Sequence, residues 1–332
     1  MSIKKNVLSL FNGMSFCSMA LESLGVNVDK MYSSEIDKHA NQATQAMFPD
    51  TIQLGDVTQW REWDIDWGSI DLVTGGFPCQ AWSMAGKQLG DKDERGMLFW
   101  TMLDIMKHVK YHNPKADFLI ENVKMKKEFE QYITTHTENA LGKVHKILIN
   151  SALVSAQNRN RYYWTSFETE QPEDRGIILD DILEDNISEP NSDGWQKWWK
   201  INKEFQLKKK YSAVCNNGST DKAITLTARQ YASWNGNFAI VQKGRGNNPG
   251  GIRAIDGKTP CMGANSWSDN NHLTDGDKYR KLTVRENMRL QTVPEHYIDT
   301  LLSAGISNTQ LYKMCGNGWT MEVIKHIFKA IL

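Results

Sequence analysis

Residues 70–83, Ile-Asp-Leu-Val-Thr-Gly-Gly-Phe-Pro-Cys-Gln-Ala-Trp-Ser, constrain this chain more than any other stretch. Ile70 to Val73 is an apolar run of strand length, suited to a buried strand. Gly75, Gly76 and Pro78 then end the strand sharply. Cys79 is the residue presented at that end. In open α/β sheets, ligands sit beyond the carboxyl ends of the strands, so a thiol there is placed to act as a nucleophile. An isolated Pro-Cys is more often an inert buried cysteine in a turn. The rest of the chain decides between the two.

Val7 to Phe11 reads as a short apolar strand, Asn12 to Ser15 as a turn, and Cys17 to Leu24 as a helix ending at Gly25. A strand, a glycine turn and a helix N-terminus suit a nucleotide-like ligand, although Gly13 alone also suits an ordinary β-α turn. Val28 to Ile36 predicts a second strand bearing Glu35, fit for a ribose diol or simply solvated. A helix is expected over His39–Met47 and a short strand over Thr51–Leu54. Asp56 after it suits an adenine amino group, or only a Gly-Asp turn.

Residues 81–95 are polar and glycine-dotted, too long for a tight connection, and read as a lid over the site. Met97–Val109 predicts an amphipathic helix. Asp117–Ile120 predicts a strand that delivers Glu121 to the same edge as Cys79. Lys146–Asn150 and Tyr162–Phe167 predict two more strands. Between them, Gln157-Asn-Arg-Asn-Arg161 puts two arginines on one side if extended, or forms a solvated basic loop.

Residues 170–277 break this rhythm. Four tryptophans (195, 198, 199, 234) stand among Gly, Asn and Lys. Lys222–Ala228 and Lys258–Ala264 echo each other, each followed by Ser-Trp. The composition suits a nucleic-acid reading surface or an irregular β domain. Thr283 with Glu286 predicts a capping box for a helix to Leu290. Thr320–Leu332 predicts a final helix with Val323, Ile324, Ile327, Phe328 and Ile331 on its apolar face.

The 332 residues suffice for one large domain with an insertion. Lys+Arg and Asp+Glu are both 39, so any basic surface is local. Five scattered cysteines without a C-x-x-C argue for a reducing compartment and against a zinc or disulfide framework. No run approaches the ~18 apolar residues of a membrane span, and no signal-peptide core is present. The expectation is a cytoplasmic protein.

In this order the pieces are specific, and the chain resembles the DNA (cytosine-5)-methyltransferases of the compact bacterial or phage type nearly end to end. The Phe-x-Gly turn is Phe11-Asn-Gly13, and the ribose and adenine acids match Glu35 and Asp56. The nucleophile motif is Gly76-Phe-Pro-Cys-Gln80, followed by Glu121-Asn-Val123 and Gln157-Asn-Arg-Asn-Arg161. Glu286 and Arg289 match the late Glu-x-x-Arg-Leu-Gln-x-x-Pro pattern, and Gly316-Asn317 the closing motif. Two departures stand in the first motif. Ser9 replaces its usual Asp, and Ser15-Phe16 replace its usual two glycines.

The resemblance implies an α/β fold: a doubly wound, mixed, Rossmann-like sheet with a small irregular β-rich target-recognition domain. The catalytic domain is expected over 1–169 plus 300–332, and the recognition domain with its connecting segment over 170–299. It implies S-adenosylmethionine as cofactor, held by Phe11, Gly13, Met14, Glu35, Ile36, Asp56, Val57, Gly76, Pro78, Leu98 and Asn317. Cys79, Glu121, Arg159 and Arg161 are the implied catalytic residues. Gln80, Ser83, Lys87 and Arg95 are the implied DNA contacts, and no metal is expected. The implied partners are double-stranded DNA and a cognate restriction endonuclease, with the enzyme a monomer.

The implied reaction is methylation of carbon 5 of a flipped-out cytosine through a Cys79 adduct at carbon 6. A free thiol ionises near pH 8.5, at about the upper edge of physiological pH, so a neighbouring Arg159 or Arg161 would favour the thiolate. Three alternatives stay open: a silent DNA-binding homologue, the same chemistry on tRNA, and a modified cofactor.

Overall fold

The structure, a computed structural model, describes residues 4–78, 94–184, 240–242, 251–253, 259–260, 272–274 and 279–332. Side chains are not described at 94, 95, 180, 240–242, 251–253, 259–260, 272–274 and 279–281. Cys79, Gln80, Ser83 and Lys87, residues 81–93 of the expected lid, and most of 185–281 lie outside the described residues, as does the Arg95 side chain.

The chain forms two compact units. The first comprises Met1–Ile149, Asn160–Pro172 and Val323–Leu332; the second comprises Asn150–Arg159 and Glu173–Glu322. The first unit is built on β1 (Lys5–Leu10), β2 (Val28–Ser34), β3 (Ile52–Gln53), β4 (Ile70–Gly75), β5 (Asp117–Val123), β6 (His145–Asn150) and β8 (Asn160–Thr165). β7 (Gln157–Asn158) is a two-residue strand outside this sheet. The seven strands run in the order β3-β2-β1-β4-β5-β8-β6. β1 pairs in parallel with both β2 and β4, and β4 with β5, whereas β8 is antiparallel to β5. The sheet is therefore mixed and doubly wound. Its strand order reverses between β1 and β4, and such switch points open a crevice beyond the carboxyl ends of the strands.

Central parallel strands are covered on both faces, which explains their apolar runs. Val7, Leu8, Leu10, Ile70, Leu72 and Val73 are all buried. The helices are α1 (Phe16–Ser23), α2 (Lys38–Met47), α3 (Glu94–His112) and α4 (Lys127–Leu141). α3 buries Phe99, Met102, Leu103, Met106 and Val109, helical spacing for one continuous face. Each such side chain contributes roughly 1.5–3 kcal/mol of transfer free energy. α3 begins three residues earlier than its apolar spacing predicts. It also lies close to the end of β4. A methyl group added at Gly75 would stand 2.8 Å from the Met102 sulfur. Glycine at 75 thus permits the helix to approach the strand that leads to Cys79.

β5 extends through Val123, so Glu121 lies within a strand and not beyond its end. The last helix, α8 (Met321–Phe328), is shorter than expected and tightens into a 3-10 turn over Lys329–Ile331. Val323, Ile324, Ile327 and Phe328 are buried, while Ile331 is half-buried.

In the second unit, α5 (Val284–Leu290) packs on α6 (Glu295–Ser303) and α7 (Asn308–Asn317). Residues 300–322 therefore associate with the second unit, whereas the sequence pattern put them in the catalytic domain. Thr283 caps α5, with its side chain accepting from the Glu286 N–H and the Glu286 carboxylate accepting from the Thr283 N–H at 2.7 Å. The same Glu286 carboxylate accepts from the Glu184 N–H at 3.0 Å. The Thr283 hydroxyl donates to Glu184 Oε2 at 2.5 Å, and Arg285 Nε lies 3.4 Å from Glu184 Oε1. Residues 184 and 283, nearly a hundred positions apart, are thus clasped together. Between them, 240–242 pairs antiparallel with 251–253, and 272–274 with 279–281. Among the described residues, no helix is long and apolar enough to cross a membrane.

Candidate active site

The switch point brings the ends of β1, β2 and β4 to one edge of the first unit. After β1 the backbone turns through left-handed angles at Phe11 (φ 53°), Gly13 (φ 56°) and Ser15 (φ 60°). Glycine adopts these angles freely; other residues pay roughly 1–2 kcal/mol each. Glu35, at the tip of β2, stitches this turn to its own strand. Its Oε2 accepts from the Gly13 N–H at 2.9 Å, and its Oε1 accepts from Ile36 and Asp37 N–H groups at 2.8 Å each. Ile36 beside it is 77% exposed, the most exposed aliphatic side chain on this edge. Asp56 Oδ1 accepts from both the N–H and hydroxyl of Thr58, capping the 3-10 turn over Val57–Glu62. Among the described residues its Oδ2 has no hydrogen-bond partner.

The other expected cofactor residues divide by burial. Met14 and Val57 have their side chains in the core, leaving mainly backbone to face a ligand. Phe11 and Leu98 are half-buried against the core, and Gly76 and Pro78 are half-buried at the end of β4.

Beside this turn runs the path to the nucleophile. Gly75 pairs with Ile120, so the chain leaves β4 next to Glu121 on β5. The Asn122 side-chain amide, itself buried, donates to the Phe77 carbonyl at 3.0 Å and accepts from the Val123 N–H at 2.8 Å. The Phe77 ring packs 5.1 Å from that of Phe99 on α3. The turn two residues before Cys79 is therefore held by its ring on one side and its carbonyl on the other.

Across the antiparallel β5–β8 pair, Glu121 lies opposite Tyr163 and Val123 opposite Arg161. Glu121 and Arg161 are thus diagonal neighbours on one face, within reach of long side chains. Arg161 Nε sits 3.0 Å from Glu121 Oε1, with side chains only 12% and 10% exposed. Trp164, three residues on from Arg161, faces the other way, and its ring N–H donates to Thr134 on α4 at 2.8 Å.

Arg159 and Asn317 belong to the second unit and are described there. Arg159 is buried and donates to the carbonyls of Gly316 (3.3 Å) and Gly318 (2.7 Å), the residues flanking exposed Asn317. The two arginines of the Gln157–Arg161 segment therefore have different partners. Gln157 donates to the Leu290 carbonyl and Gln291 Oε1, both at 3.1 Å. Gln291 in turn donates to the Cys315 carbonyl at 2.6 Å and accepts from Thr320 Oγ1 at 2.9 Å. Sequence reasoning gave no role to Gln157, Gln291 or Asn122. Each stood inside a motif, Gln157 at the head of Gln157–Arg161, Gln291 in Glu-x-x-Arg-Leu-Gln-x-x-Pro and Asn122 in Glu-Asn-Val.

Burial separates the two remaining described thiols from this chemistry. Desolvation pushes Cys17 and Cys315 up to about 12, so neither is a nucleophile near neutral pH.

Comparison with known proteins agrees across the whole chain. The family model for C-5 cytosine-specific DNA methylase matches residues 5–332. The chain is 31% identical to the type II methyltransferase M1.ScrFI of Lactococcus lactis subsp. cremoris, over 99% of this chain and 78% of that protein. It is 28% identical to the type II methyltransferase M.HhaI of Haemophilus parahaemolyticus, over 96% and 92%. Among solved structures it is similar to a DNMT2 mutant of Spodoptera frugiperda, with TM-score 0.61 and 20% identity over 98% and 99% of the two chains. It is also similar to a prophage-encoded DNA modification methyltransferase from E. coli described as putative, with TM-score 0.57 and 17% identity over 98% and 99%.

Proposed function

The chain belongs to the C-5 cytosine-specific DNA methylase family, and on that premise we propose how its own residues carry out methyl transfer to carbon 5 of cytosine in DNA. The family implies S-adenosylmethionine as donor, and the edge of the first unit fits an adenosyl group. Ile36 offers an exposed apolar face for a ring, and Asp56 Oδ2 is free for an amino group. Glu35 is more constrained. A carboxylate has about four acceptor sites, and three here are taken by backbone N–H groups. One ribose hydroxyl can be accepted directly. A second requires one of those N–H groups to let go.

When bound, the donor supplies an electrophilic methyl group on a sulfonium. Cys79, as thiolate, adds to carbon 6 of the cytosine, and the electron pair of the 5,6 double bond becomes available at carbon 5. Glu121 holds a hydrogen bond or proton at ring nitrogen 3 and stabilises the charge that develops there. Arg161, paired with Glu121 at 3.0 Å, fixes the carboxyl orientation and faces oxygen 2. After transfer, loss of the carbon 5 proton drives out the Cys79 sulfur and restores the ring. In the second unit, Arg159 braces the turn that carries Asn317.

A base in a duplex must be flipped out to reach Cys79, at a cost of a few kcal/mol. The family resemblance assigns the DNA contacts to Gln80, Ser83, Lys87 and Arg95, which lie outside the described residues or have undescribed side chains. Residues 170–299 read the target from the major groove. The enzyme acts in a type II system beside a nuclease of the same specificity.

The observation that carries this reading is the Asn122–Phe77 bond. It ties the turn before Cys79 to the strand holding Glu121. The test is tritium transfer from labelled S-adenosylmethionine to duplex DNA and to tRNA, for the chain and for Cys79→Ser. Label in DNA that is lost with Cys79→Ser is the expected result. Label in tRNA alone, or label retained by Cys79→Ser, overturns it.

A further inference from the structure

Ser15 is a serine in a place that asks for glycine. Its backbone is left-handed, at φ 60° and ψ 37°, at the N-cap of α1. A serine N-cap ordinarily turns its hydroxyl onto the first helical N–H groups. Here the side chain makes no capping bond. The hydroxyl instead accepts from the Asn12 side-chain amide at 2.8 Å and lies 2.7 Å from Thr44 Oγ1 on α2. The Asn12 amide also reaches Thr44 Oγ1 at 3.3 Å. Ser15 and Thr44 are fully buried and Asn12 nearly so, so water does not replace these bonds. The Ser15 N–H donates to the Asn12 carbonyl at 3.2 Å, which closes the turn on itself. Gly13, whose N–H meets Glu35, lies between the two clamped residues.

We propose that Asn12, Ser15 and Thr44 form a clamp that sets the affinity for the methyl donor. Thr44 is a positioning residue. From α2 it holds Ser15 in the left-handed conformation, and so holds the Phe11–Ser15 turn in its binding shape before the donor arrives. Without the Thr44 hydroxyl, Ser15 relaxes towards backbone angles that an L-residue prefers, and donor binding must restore the turn. A glycine at 15 has no such preference and needs no clamp. The serine and threonine thus act as a pair in place of one glycine. The proposal rests on the donor site described above, and its test separates the two.

The measurement is calorimetric binding of S-adenosylhomocysteine, with the thermal midpoint of the free protein read in parallel. Thr44→Val, nearly isosteric, should raise Kd about tenfold, the equivalent of roughly one buried hydrogen bond. Thr44→Ser keeps the hydroxyl and should bind within about twofold of the wild type. In a Ser15→Gly background, adding Thr44→Val should change Kd by less than about twofold. A purely structural Thr44 would lower the midpoint equally in both backgrounds and leave both Kd values alone, which overturns the proposal. An equal rise in Kd in both backgrounds also overturns it. If the wild type itself fails to bind the ligand, the donor site is wrong and the clamp falls with it.

Discussion

Replacing Asn122 tests the link between the two strands of the site most directly. Its side chain makes two bonds, to the Phe77 carbonyl and from the Val123 N–H, in a position that is 1% exposed. Asn122→Ala removes both bonds, at roughly 1–3 kcal/mol for each. The Phe77 ring stays anchored against Phe99 at 5.1 Å, so the turn is loosened and not lost. If about 1.5–3 kcal/mol of the cost falls on the turn geometry, the competent position of Cys79 is depopulated about 10- to 150-fold. The single-turnover methylation rate constant should fall by that factor. Donor affinity should stay within about twofold, because the Phe11–Ser15 turn follows another strand. Asn122→Asp should be at least as slow. It keeps the acceptor for Val123 but sets an oxygen against the Phe77 carbonyl. Pre-steady-state tritium transfer at saturating DNA reads the rate, and calorimetry reads donor affinity. A normal rate in Asn122→Ala refutes the coupling. So does a rate that falls only in proportion to donor affinity, since that signals general loosening.

Three further outcomes follow from the geometry. Gly75→Ala places a methyl group 2.8 Å from the fully buried Met102 sulfur and should cost about 1–3 kcal/mol in denaturant melts, with Met102→Ala less than additive on top of it; strict additivity would argue against the close approach. Cys17 and Cys315, both pushed up to about 12, should resist iodoacetamide at pH 8.5 in the native protein and label once it is unfolded, as peptide mass spectrometry would show. Glu295 is held below the usual carboxylate range, first by its hydrogen bond from Arg289, so its stabilising contribution is present above about pH 4.3 and is lost as pH falls through its folded value. Glu295→Gln should therefore cost stability at pH 7 and progressively less as pH falls below about 4.3, and a loss that does not change with pH would contradict that sign.

Much of the first unit was legible because central parallel strands are written as apolar runs. Ile70–Val73 and Val7–Leu10 announce themselves, and the glycines and proline after Thr74 mark where the chain must turn. Pairing is harder to see. Nothing in the sequence sets Glu121 diagonal to Arg161, since that depends on the register of two antiparallel strands about forty residues apart. The Arg159 bonds to Gly316 and Gly318 span more than 150 residues and leave no local pattern. The start of α3 was hidden for another reason. Glu94 and Arg95 continue a polar stretch, and helix propensity there is masked by the glycines just before it. The packing of α5 on α7, which groups residues 300–322 with the second unit, likewise leaves no local pattern.

The clasp at Glu184 has a consequence for how such a chain can change over time. With residues 184 and 283 fixed at hydrogen-bond distance, the stretch between them enters and leaves through one narrow neck. Closure entropy grows only slowly with the length of a loop, so a neck of this kind tolerates inserts of very different size. Among the described residues, 259–260 pairs with β7 outside the neck, so a replacement stretch must supply that short strand. Recombination that cuts just inside the neck would exchange the segment proposed to read the target and keep the sheet of the first unit. A chimaera cut outside it, at 172 and 322, would leave Gln157 and Arg159 facing foreign partners. New target sequences are therefore expected to arise by exchange at this point, with the methylating machinery inherited whole.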